Sequence, residues 1–131
     1  MDRPGSNIFY HPLVVKKDIP RLDRFSVKNI RRVIEAKLGA RPEIYGLPLR
    51  GTLKKYWKLR VGDWRVVYEI YTPAQAQSVK QGVYKLLGSE MKMQSHFRFA
   101  RSTSLIKGND VYVLIIAHRK DVYDLAHKRK L

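Results

Sequence analysis

This chain lacks cysteine, is poor in acid and has no long apolar run, and each lack removes a class of protein. Zero cysteines in 131 residues exclude a disulfide framework and a cysteine-ligated zinc site, and fit a reducing compartment. No stretch approaches the roughly 18 apolar residues of a membrane span. The first residues, Met1-Asp-Arg-Pro-Gly-Ser-Asn7, lack the apolar centre of a secretory leader. The expectation is a soluble, cytoplasmic protein with no membrane partner. Acidic residues number 11 against 27 Lys plus Arg, a net charge of +16. A field of that sign attracts polyanions, nucleic acid before acidic protein or anionic lipid. Aromatic and basic residues interleave at Tyr56-Trp57-Lys58, Trp64-Arg65 and His96-Phe97-Arg98-Phe99, placing stacking rings beside phosphate binders.

What is present predicts one α+β domain over residues 1–131. Asn7 to Tyr10 reads as a short strand, and Pro12 opens a brief helical segment that Pro20 ends. Ser26 is the expected N-cap of a helix with Val27, Ile30, Ile34 and Leu38 as its apolar stripe and Gly39 as its close. Residues 40–51, with two prolines and two glycines, read as a connecting loop. Trp57, Leu59 and Val61 alternate with Lys58 and Arg60, and Trp64, Val66, Tyr68 and Ile70 alternate with Arg65 and Glu69. With Gly62-Asp63 between them, the pattern is a hairpin with an apolar underside and a cationic top. Val111 to Ala117 is nearly all apolar, as in a strand covered on both faces. From Val122 a helix runs to the basic tail His127-Lys-Arg-Lys130.

Five segments carry a resemblance: Phe9-Tyr-His-Pro12, Lys17-Asp-Ile-Pro20, Gly46-Leu-Pro-Leu-Arg-Gly51, Leu59-Arg-Val-Gly-Asp-Trp-Arg-Val-Val-Tyr68 and His118-Arg-Lys-Asp-Val-Tyr123. In this order they resemble the RelE/ParE superfamily of small toxins, and specifically its RelE-like branch. The resemblance implies a small antiparallel sheet with two N-terminal helices on one face and a C-terminal helix. It also implies a cognate acidic antitoxin and, for RelE-like members, metal-independent cleavage of messenger RNA on the ribosome. ParE-like members share the fold but act on DNA gyrase, so fold alone does not choose.

Cleaving RNA without a metal requires removing the 2′-hydroxyl proton, stabilising charge on a pentacoordinate phosphorus and protonating the 5′-oxygen. Cations, a tyrosine and a histidine are the residue types that serve. By resemblance Arg65 binds the scissile phosphate and Lys58 assists there or at the base. Arg119 stabilises transition-state charge, and Tyr123 acts in acid–base chemistry or stacks on a base. Lys54, Lys55, Arg60, His118 and Lys120 complete the expected RNA-binding set, with mRNA and ribosomal RNA as partners. Strand alternation sets His118 opposite Arg119. His11, His96 and His127 have no spacing that makes a metal site with any carboxylate, so neither metal nor other cofactor is expected.

Two departures from the family stand out. Some RelE-like toxins have a second lysine two residues before the position of Lys58, and this chain has Tyr56 there. Lys54 or Lys55 is the available substitute for the general base. The second departure is an insertion at about 72–110, where the family has a short turn. In it Val79, Val83, Leu86 and Leu87 predict a helix ended by Gly88, and Met91 to Ala100 an extended run. Six basic residues against one acid between Thr72 and Asn109 allow a basic flap over substrate, a plain excursion or a self-association surface. Three functional readings follow: a toxin endoribonuclease, a ParE-like gyrase inhibitor, and an inactive relative that binds RNA or antitoxin. The presence of Arg119 and Tyr123 favours the first.

Overall fold

The computed structural model describes residues 7–70, 83–86, 97–100 and 110–131. Strands β1 (Ile8–Tyr10), β2 (Leu47–Pro48), β3 (Trp57–Val61), β4 (Trp64–Ile70), β5 (Val83–Leu86), β6 (Phe97–Ala100) and β7 (Val111–His118) form one sheet in the order β2-β3-β4-β7-β1-β5-β6. Expected to be mainly antiparallel, the sheet contains one parallel pair among the described strands, β1 with β7. Helix α1 (Arg24–Val33) runs on through a wider turn at Ile34–Leu38. Helix α2 (Pro42–Tyr45) is one turn long, and α3 (Val122–Lys128) closes the chain.

Alternation along the strands builds two cores. Leu59, Val61, Val66, Tyr68, Val113 and Ile116 meet Val27, Ile30, Ile34 and Leu38 of the first helices. On the other face Tyr56, Val67, Ile115 and Ala117 meet Val122 and Ala126 of α3. Burying one such large apolar side chain contributes about 1.5–3 kcal/mol. The hairpin's upper face is therefore not simply cationic: α3 covers its inner part, and the cations occupy what remains.

Several local expectations change. Asp23, not Ser26, caps α1: its carboxylate accepts the Ser26 N–H at 2.7 Å and the Ser26 hydroxyl at 3.0 Å. The apolar stripe begins only at Val27, which displaced the expected start by three residues. Residues 40–51 contain α2 and the two-residue edge strand β2 as well as loop. The Gly62-Asp63 turn forms with positive φ at Gly62 alone, the pattern of a type II′ hairpin. The helix expected from Val79 to Leu87 is a strand over Val83–Leu86, and its other positions lie outside the described residues. Of the extended run from Met91, Phe97–Ala100 forms β6 and the rest lies outside them. Both strands join the sheet at the edge remote from β3, pairing through β1.

One buried pair fixes α3. β1 pairs with β7 only as far as Val113, with His11 N–H bonded to the Val113 carbonyl at 2.8 Å. Beyond it, side chains do the work of a neighbouring strand. Asp18, 2% exposed, accepts the Ile116 N–H at 2.9 Å. Arg129 donates to the Leu114 carbonyl at 3.1 Å and to Asp18 at 2.9 Å. The end of α3 is thereby tied to the middle of the sheet.

Candidate functional site

Lys58 and Arg60 sit two residues apart on β3, and therefore on one face. That face is the one α3 partly covers, because Lys58 lies opposite Val67 in the register. Arg65 of β4 stands directly across from Arg60. Like charges so placed disfavour each other, and an anion between them would relieve the repulsion. Arg65 is half-buried and folded back: one guanidinium nitrogen donates to the Gly62 carbonyl at 2.8 Å and to that of Trp64 at 2.9 Å.

Tyr123, in the first turn of α3, is 53% exposed. The Lys58 Nζ donates to its hydroxyl oxygen at 3.0 Å and lies 5.6 Å from its ring centroid. An ammonium in that position leaves the phenol's own proton free to be donated, and stabilises the oxyanion that donation creates. Beside the pair is a hollow of about 640 Å³, lined by Leu47, Pro48, Leu49, Arg50, Lys58 and Tyr123.

Arg119 follows the last strand residue. Its backbone N–H bonds to the Asp63 carbonyl at 2.8 Å, and its side chain approaches the Asp63 carboxylate at 3.7 Å. Both groups of that ion pair are well exposed, so it restrains Arg119 weakly. The two arginines expected at phosphate, Arg65 and Arg119, are thus both tethered to the hairpin turn.

Other expected residues stand apart. His118 pairs with Trp64 and lies edge-on to its ring at 5.7 Å, on the face opposite Arg65. Its Nδ1 accepts the Lys120 N–H at 3.2 Å. Lys54 and Lys55 are exposed just before β3, with Lys55 Nζ 5.0 Å from the Tyr56 ring centroid. Among the described residues no three His, Cys, Asp or Glu side chains cluster as a metal site. Nor does any described helix have the length and apolarity to cross a membrane.

Sequence reasoning missed Leu47 and Arg50. Their segment, Gly46-Leu-Pro-Leu-Arg-Gly51, was among the five that carried the resemblance, yet it read as a connector. The short edge strand places Leu47 opposite Lys58. Gly46 permits this, since a Cβ there would overlap the Tyr68 hydroxyl.

No protein-family model matches the sequence, and no curated protein matches it either. Among solved structures, a chain of the toxin–antitoxin complex RelBE2 from Mycobacterium tuberculosis superimposes with a TM-score of 0.56. The match covers 92% of this chain and 100% of that one at 17% identity. The fold is RelE-like. Within the RelE-like fold the hairpin, the last strand and α3 bring Lys58, Arg60, Arg65 and Tyr123 to one face, with Arg119 at the rim.

Proposed function

We propose that this chain is the toxin of a toxin–antitoxin pair, a metal-independent endoribonuclease that cleaves messenger RNA on the ribosome. The observation that carries the reading is the Lys58–Tyr123 hydrogen bond beside the facing arginines Arg60 and Arg65. Residues 65 apart in sequence meet where a phosphodiester could be held.

In the proposed reaction the 2′-oxygen loses its proton and attacks the adjacent phosphorus. The bond from phosphorus to the 5′-oxygen breaks, leaving a 2′,3′-cyclic phosphate and a 5′-hydroxyl. Arg60 and Arg65 hold the non-bridging oxygens, and Arg119 adds positive charge as the pentacoordinate centre forms. Tyr123 protonates the departing 5′-oxygen, with Lys58 stabilising the resulting phenolate. Lys54 and Lys55, exposed just before β3, are the candidates for the proton acceptor. Lys120 and His118 would contact RNA further along, His118 from the opposite face. The excess of cations supplies affinity for ribosomal RNA and for an acidic antitoxin.

Primer extension on a translated message, after brief induction, tests the proposal. Codon-spaced cleavage is expected, lost in Arg65→Ala and reduced about 10²- to 10⁴-fold in Tyr123→Phe. Gyrase-linked DNA breaks without message cleavage would replace this reading with the ParE-like one.

A further inference from the structure

The outer side of α1 has a composition that the candidate site does not use. Val27, Ile30 and Ile34 point to the sheet. Phe25, Lys28, Asn29, Arg32 and Ala36 recur at spacings of three and four on the side facing away. They line a shallow groove with Arg31 and Glu35. Phe25 is 78% exposed, more than any other large apolar residue described. Arg32 is held upright by its hydrogen bond to Asn29 Oδ1 at 2.9 Å. The groove's one acid, Glu35, is already paired with Arg31 at 2.9 Å.

We propose that this helix face is a second RNA-binding surface, in which Phe25 stacks on an unpaired base while Lys28 and Arg32 hold the flanking phosphates. An exposed ring set among cations matches a single-stranded polyanion that has its own π-faces. A partner helix would need several apolar anchors at helical spacing, and this stripe offers one. A second copy of the chain would set like charge against like. The candidate nuclease residues lie on the other face of the sheet, so a toxin held through α1 would keep them open to message. Binding itself does not depend on cleavage, although its use in holding ribosomal RNA rests on the function proposed above.

A short fluorescent 2′-O-methyl oligoribonucleotide, which cannot undergo 2′-oxygen attack, reads binding separately from cleavage. Fluorescence anisotropy on the full chain should show Phe25→Ala weakening binding about tenfold. The double variant Lys28→Gln/Arg32→Gln should lower the slope of log affinity against log salt by about 1.4, at roughly 0.7 per phosphate contact on a single strand. All three side chains lie outside the core, so circular dichroism and thermal melting should match wild type. Affinity and salt slope equal to wild type in these variants would overturn the proposal. So would unchanged RNA binding with loss of binding to an acidic helical peptide, which would assign the face to a protein. Absence of message cleavage by the wild-type chain would defeat the nuclease reading and leave the anisotropy result to decide this one.

Discussion

Replacing Arg129 by Met tests whether α3 is held by the buried ion pair. The methionine retains most of the stem's volume and removes the guanidinium. Asp18, 2% exposed, then keeps its bond to the Ile116 N–H but loses its countercharge, and the Leu114 carbonyl loses a donor. Breaking a buried pair from one side costs about 3–5 kcal/mol, because a charge is left without compensation. That is a large share of the roughly 5–15 kcal/mol that holds a domain together. Urea unfolding should show a loss of at least about 3 kcal/mol, and hydrogen exchange should quicken first in Val122–Lys128. Asp18→Asn combined with Arg129→Met should recover part of the loss, since no buried charge then remains. A loss under about 1 kcal/mol in Arg129→Met, with α3 protection unchanged, would refute the argument.

Gly46→Ala should cost about 1–3 kcal/mol as an overpacking change, because its new methyl group would meet the Tyr68 hydroxyl. In a Tyr68→Phe background, which itself loses the 2.6 Å bond to the Pro42 carbonyl, the added cost should shrink, and urea midpoints of the four chains measure the coupling. His11 should make stability depend on pH. Burial and then Arg129 hold its pKa below the ordinary value, with Asp18 opposing, and its Nδ1 accepts the Leu13 N–H at 3.0 Å. The folded state therefore disfavours protonation. Stability should be constant above the unfolded histidine's pKa near 6.5 and decline as pH falls from there toward the lower folded value. Melting temperatures across that range should flatten in His11→Gln.

What the sequence made legible follows from which forces it records. The hairpin and last strand were readable because period-two alternation at Trp57–Val61 and Trp64–Ile70, and an unbroken apolar run at Val111–Ala117, each admit few folds. Lys58, Arg65 and Tyr123 could be named from resemblance, but not the meeting of Lys58 with Tyr123, which depends on α3 lying across the second face. Val122 and Ala126 give α3 an apolar side, but where it docks rests also on Arg129 reaching Asp18 across 111 residues. The strand at Val83–Leu86 was misread as helix because a short apolar run fits either period, and its pairing with β1 is a long-range contact. Asp23 and Ser26 are both capping types, and only the backbone distinguishes which one stands outside the first turn.

Fold and site use alternate residues of the same strands, so one register serves both. On β3, Leu59 and Val61 enter the first core while Lys58 and Arg60 face outward with Arg65. A slip of one residue would carry the cations into that core and expose its apolar members. Three features pin the alignment: positive φ at Gly62, the Arg119 N–H bond to the Asp63 carbonyl, and the irregularity between Val67 and Tyr68 where β4 meets β7. Two of the three lie in the turn that also tethers Arg65 and Arg119. Gly62→Ala, which meets no neighbour within 4 Å but must hold φ near +60°, should therefore do more than cost about 1–2 kcal/mol of backbone strain. By loosening the turn it should displace the Arg65 guanidinium from the Gly62 carbonyl. RNA cleavage should then fall further than in a variant of equal thermal stability altered at Ile30, in the core on the other face of the sheet. Equal cleavage in the two would mean that the turn supports the fold without placing the arginines.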